Sequence, residues 1–121
     1  MLQLKTVEQN GVATIYCRGR IVFGDEADDL RLAVLSLLKR TNRIVLHMSG
    51  VQTIDSGGLG TLVGIFISVR HRSGTVKIAA PSRKAREVLQ ITHLDTLIDI
   101  YATADEAGAS FPRPKRIAAA G

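Results

Sequence analysis

The chain has 121 residues, 45% of them apolar and 22% charged, enough for one domain that buries a core without staples. Its single cysteine, Cys17, excludes an intramolecular disulfide framework and a multi-cysteine zinc site. Three units of the +5 formal charge belong to Arg113, Lys115 and Arg116; with two Tyr, three Phe and no Trp, the remainder lacks the stacking platforms and basic stripe of a nucleic-acid binder.

The first residues show no basic segment followed by an apolar one, so no signal peptide is expected. The longest apolar stretch, residues 59–69, is too short to cross a bilayer, and a cytoplasmic, membrane-free protein is the expectation. Residues 2–9 and 11–18 read as two strands joined at Asn10-Gly11, a strong two-residue hairpin signal. In the second strand Ala13, Ile15 and Cys17 share one face, which predicts a buried, structural thiol. Residues 25–40 read as a helix with an acidic first turn and an apolar stripe of Ala27, Leu30, Ala33, Val34, Leu37 and Leu38. Leu32 and Leu35 fall off that stripe and are read as solvated.

Residues 43–48 form a third predicted strand, with Ile44, Leu46 and Met48 alternating against Val45 and His47. A second helix opens at Asp55 or Ser56 and runs to about His71, with Leu59, Leu62, Val63 and Phe66 as its core face. A strand over 75–79, a helix from Pro81, a short strand over 97–102 and a weak helix over 103–111 follow. The Pro-, Arg- and Ala-rich residues 112–121 form a flexible basic tail by composition. His47, Lys77 and Arg18 give the strands one polar face. That pattern argues for an α/β domain over residues 1–111, a mixed sheet with helices mainly on one face.

The segment Val51-Gln52-Thr53-Ile54-Asp55-Ser56-Gly57-Gly58-Leu59-Gly60 exceeds what a plain fold requires. With Asp55 as N-cap, Ile54 and Leu59 have the spacing of a hydrophobic staple, and Ser56 falls on the outer rim of the first turn. Ser56 then reads either as a capping residue or as a functional hydroxyl. Gly57, Gly60, Thr61, Gly64 and Ser68 lie broadly opposite the core face, at a cost of about 1 kcal/mol for each interior glycine. Their small stripe reads as a surface for close approach, although packing within the domain would use it equally well. Catalytic readings fail here: Val63 stands where a dinucleotide fingerprint needs glycine, and Ile54 where a nucleophile elbow does. His47, His71 and His93 lack metal-ligand spacing, so neither an enzyme nor a bound metal or other cofactor is expected.

The block Ile54-Asp55-Ser56-Gly57-Gly58-Leu59-Gly60 resembles the phosphorylation motif of STAS domains, in particular bacterial anti-sigma factor antagonists. The preceding strand, the run Gly19-Arg20-Ile21 before Asp25, and the closing Thr103-Ala104-Asp105-Glu106-Ala107 are similar to the same family. The resemblance implies a transcription-regulating, partner-switching module. The unphosphorylated antagonist binds an anti-sigma factor that is itself a serine kinase, and so frees a sigma factor. Phosphorylation releases it, and a metal-dependent serine/threonine phosphatase restores it. Ser56 matches the phosphoacceptor; Asp55, Gly57, Gly58, Leu59 and Gly60 match the partner-binding segment, with Asp25 a further contact. Two departures stand out: Gly57 replaces a frequent second Ser or Thr, and Val22 replaces a frequent Asp, leaving Asp25 three residues later. Two other readings are a constitutive STAS adaptor in a stress-signalling or lipid-transport complex, and a small serine hydrolase. The hydrolase would need a histidine near Ser56.

Overall fold

In the computed structural model, which describes residues 1–112, five strands form one sheet in the order β1-β2-β3-β4-β5. The elements are β1 (Leu2–Gln9), β2 (Val12–Ile21), α1 (Asp25–Leu37), β3 (Arg43–Ile54), α2 (Ser56–His71), β4 (Thr75–Ala79), α3 (Arg83–Ile91), a 3-10 turn (Leu94–Thr96), β5 (Ile100–Tyr101) and α4 (Ala104–Ala109). β1 pairs antiparallel with β2, and all later pairings are parallel. Asn10 (φ 55°) and Gly11 (φ 78°) make the hairpin turn, the left-handed pair that a two-residue connection between twisted strands requires. The expected tail from 112 onward lies outside the described residues, Pro112 excepted.

Alternation along the strands sorts the side chains into two layers. Ala13, Ile15, Cys17, Ile44, Leu46, Met48, Val76 and Ile78 face Leu30, Val34 and Leu37 of α1, Leu62, Ile65 and Val69 of α2, and Ala85 and Leu89 of α3 in one continuous core. Cys17 is sealed in this core, and burial pushes its thiol pKa up to about 12, as befits a structural residue. On the other face, among the described residues, α4 and the adjoining Phe111 cover a small patch with Val45 and Ala79. The mixed sheet with helices mainly on one face is therefore observed.

Several boundaries differ from the sequence expectation for identifiable reasons. β2 runs on to Ile21 and β3 to Ile54, because a register shift between Tyr16 and Arg18 carries the pairing past Ser49 and a second, between Gly19 and Arg20, carries it past Gln52. α1 stops at Leu37 rather than at Arg40. The chain turns so that the Arg40 guanidinium reaches the Glu8 carboxylate at 2.6 Å and the Thr41 hydroxyl donates to the Gly11 carbonyl at 2.5 Å. α3 starts after Ser82, not at Pro81: the Ser82 hydroxyl accepts from the Ala85 N–H at 3.1 Å and donates to the Val51 carbonyl at 2.6 Å. β5 shrinks to two residues, and α4 to the six after the Thr103 cap.

The core line of α2 is Gly58, Leu62, Ile65 and Val69; Leu59, Val63 and Phe66 flank it, half-buried. Lys77 is also not on an open polar face. It is buried under α4, where its Nζ donates to Ser110 Oγ at 2.6 Å and lies 4.5 Å from the Phe111 ring centroid. Leu32 and Leu35 are exposed, as expected.

Candidate functional site

Asp55 sits between the end of β3 and the start of α2 with extended backbone (φ −93°, ψ −177°), the conformation of an N-cap. Its carboxylate accepts the Gly58 N–H at 2.7 Å, which closes the first turn of the helix. Ile54 is buried in the main core and the half-buried Leu59 packs against the same core, at the spacing of a hydrophobic staple across the cap. The same carboxylate accepts the Phe23 N–H through both oxygens, at 3.0 and 3.2 Å. Together these N–H donors hold the Asp55 pKa below the ordinary carboxylate value.

Ser56 occupies the first helical position and is exposed. Asp55 provides the cap, so the Ser56 hydroxyl is not needed for it. Of the two roles the sequence left open, the cap belongs to Asp55, and the Ser56 side chain stands exposed at the rim of the helix.

The glycines divide sharply. A Cβ at Gly58 would collide with the Ile21 carbonyl, and one at Gly57 would lie 2.5 Å from the Phe23 Cβ. Gly57 and Gly58 are therefore required by packing inside the domain, which corrects the reading of a uniform small stripe. Gly60 and Gly64 have nothing within 4 Å of such a Cβ and do face outward. The departure at position 57 has a physical reason here: Phe23 lies over it.

Asp25 is exposed at the first position of α1, two residues beyond the Phe23 backbone that Asp55 holds. Phe23 itself was missed by sequence reasoning. Its side chain is 82% exposed, at the rim that carries Ser56. A signal existed: Phe23 precedes the Gly24 cap of α1, where a staple would need an apolar residue at position 28, and Asp28 stands there.

No histidine is placed to activate Ser56. His71 ends α2 about 22 Å away at 1.5 Å rise per residue. His47 lies on the opposite sheet face against Tyr16 (ring centroids 4.6 Å apart), and partial burial lowers its pKa. His93 follows the end of α3 remote from the Ser82 cap that joins it to Val51. The serine-hydrolase geometry is thus lacking. Among the described residues no group of three His, Cys, Asp or Glu could hold a metal ion, and no helix is long and apolar enough to cross a membrane. Open grooves of about 610 Å³ beside α3 and β5 and about 970 Å³ between the hairpin and α4 include none of residues 54–60 in their linings.

Comparison with known proteins places this site in context. The STAS domain model matches residues 3–107. A candidate anti-sigma factor antagonist of Thermotoga neapolitana is 41% identical over 71 residues, 59% of this chain. The chain spans 63% of that relative's length. The anti-sigma-B factor antagonist of Bacillus subtilis is 30% identical over 76 residues, 63% of this chain and 70% of that protein. The crystal structure of a candidate anti-sigma factor antagonist from Thermotoga maritima superposes with a TM-score of 0.76 at 30% identity, covering 89% of this chain and 92% of that one.

Proposed function

Because this chain belongs to the STAS domain family, we propose that it is a cytoplasmic, non-enzymatic anti-sigma factor antagonist switched off by phosphorylation of Ser56. The observation that carries the reading is the exposed Ser56 hydroxyl at the first position of α2, with the capping duty discharged by Asp55. Its similarity to Bacillus and Thermotoga proteins named as anti-sigma factor antagonists supports an anti-sigma factor as the partner class.

In this reading the partner is an anti-sigma factor with serine-kinase activity, and a metal-dependent serine/threonine phosphatase reverses the modification. Ser56, Gly60, the edge of Leu59 and the exposed Asp25 make the contact surface. Asp55, Gly57 and Gly58 shape it from below through the cap and the close packing on Phe23 and Ile21. No nucleic acid is bound directly.

The test is to incubate the pure protein with ATP and each anti-sigma serine kinase of its genome, then map the phosphosite by mass spectrometry. A single phosphate on Ser56, absent from Ser56→Ala, is expected. Stable binding to an anti-sigma factor without modification would favour a constitutive adaptor instead.

A further inference from the structure

The phenylalanines of the chain have different fates. Phe66 packs against the main core and Phe111 is buried under α4, while Phe23 leaves 82% of its surface in water. An exposed phenyl ring forgoes the favourable burial that the other two obtain. Nothing in the connection from β2 to α1 needs an aromatic residue, since its own hydrogen-bonding groups are backbone ones: Ala27 N–H donates to the Val22 carbonyl at 3.1 Å and Asp28 N–H to the Gly24 carbonyl at 3.0 Å, and the Phe23 N–H donates to the Asp55 carboxylate.

The backbone beneath the ring is nevertheless held from two sides. Both Asp55 oxygens receive the Phe23 N–H, and Phe23 occupies the space a side chain at Gly57 would need, its Cβ 2.5 Å and its Cα 3.0 Å from where a Cβ would stand. Asp55 and Gly57 are the residues on either side of Ser56. An exposed aromatic on a fixed backbone needs little further ordering on association, and this combination of ring and restraint characterises residues that dominate protein interfaces.

We infer that Phe23 is the apolar anchor by which the kinase that modifies Ser56 holds its substrate, inserting into an apolar recess beside the kinase active site. The inference rests on the proposed phosphorylation of Ser56. It adds a residue from a distant part of the chain to the recognition of that hydroxyl, so a peptide of residues 51–60 alone would be a poor substrate.

The experiment measures steady-state phosphorylation of the full chain by the anti-sigma serine kinase that modifies it, for wild type, Phe23→Ala and Phe23→Tyr. Melting curves control for folding, which an exposed side chain should not disturb. KM is expected to rise roughly tenfold or more for Phe23→Ala with kcat little changed, and Phe23→Tyr to recover most of the loss. Wild-type phosphorylation at Ser56 with an unchanged KM for Phe23→Ala would overturn the anchor and leave the proposed function standing. A wild-type chain that none of these kinases modifies at Ser56 would overturn both.

Discussion

The Asp55 carboxylate takes the backbone N–H of Phe23, 32 residues earlier in the chain, while it caps its own helix through Gly58. One side chain thus sets both the start of α2 and the height of the loop beside it. Asp55→Ala should lower the melting temperature by several degrees and loosen the 22–24 connection, seen as faster amide exchange at Phe23. The effect should depend on pH. The Asp55 pKa is depressed in the folded protein, so its stabilising contribution is complete above the unfolded value of 3.8 and disappears as pH falls through the lower folded value. The melting-temperature gap between wild type and Asp55→Ala should therefore be constant at neutral pH and close only below about pH 4.

The two classes of glycine in α2 should respond oppositely to alanine. Gly58→Ala drives a methyl group into the Ile21 carbonyl and should cost about 1–3 kcal/mol, as overpacking does. Gly60→Ala and Gly64→Ala meet nothing within 4 Å and should each gain up to about 1 kcal/mol from helix propensity. Thermal melts separate the cases, at roughly 4 °C per kcal/mol for a chain of this size. Gly60→Leu should likewise stay folded, yet weaken binding to the anti-sigma factor if this face is the contact surface.

Lys77 offers a test of how α4 is held. Among the described residues its ammonium has only neutral partners, the Ser110 and Tyr101 hydroxyls and the rings above it. Lys77→Met keeps the volume, and Ser110 keeps its 2.6 Å bond to the Ala107 carbonyl, so stability should change by less than about 1.5 kcal/mol. Lys77→Ala leaves a cavity under Phe111 and should cost about 2–3 kcal/mol. Urea unfolding of the three proteins would check the order.

These residues also show what the sequence could and could not reveal. The Asn10-Gly11 turn, the Asp55 cap and the burial of Ile54 and Leu59 on either side of it depend on neighbours within five residues, and all three were legible. The position of Ser56 followed from them. Phe23 over Gly57, Lys77 under Ser110 and Ser82 on Val51 join residues more than thirty apart, and no local pattern announces such pairs. Lys77 was read only as part of a polar strand face, because strand alternation gives a face but not what covers it. The end of β3 was missed because Ser49-Gly50 has the composition of a break, and only pairing with the irregular stretch of β2 carries the strand past it.

Phosphorylation of Ser56 should abolish partner binding without unfolding the domain. A phosphoserine carries about −1.5 to −2 charges at pH 7. At the first position of α2 it meets the positive end of the helix dipole and is exposed to water, so the fold tolerates it. The depressed pKa of Asp55 means that its carboxylate is already charged beside that phosphate, and the repulsion offsets part of the gain. Little net change in stability results. An interface pressed on the same rim has no such tolerance, because it must bury the dianion or supply new partners for it. A penalty of even ~4 kcal/mol is about a thousandfold in affinity. Wild type and Ser56→Ala should therefore bind the anti-sigma factor while Ser56→Asp does not, and all three should melt within a few degrees of one another. Aspartate carries only part of the charge of a phosphate, so the decisive sample is the stoichiometrically phosphorylated chain. If that sample binds as tightly as Ser56→Ala, the charge does not reach the interface, and Ser56 belongs to a constitutive adaptor rather than to a switch.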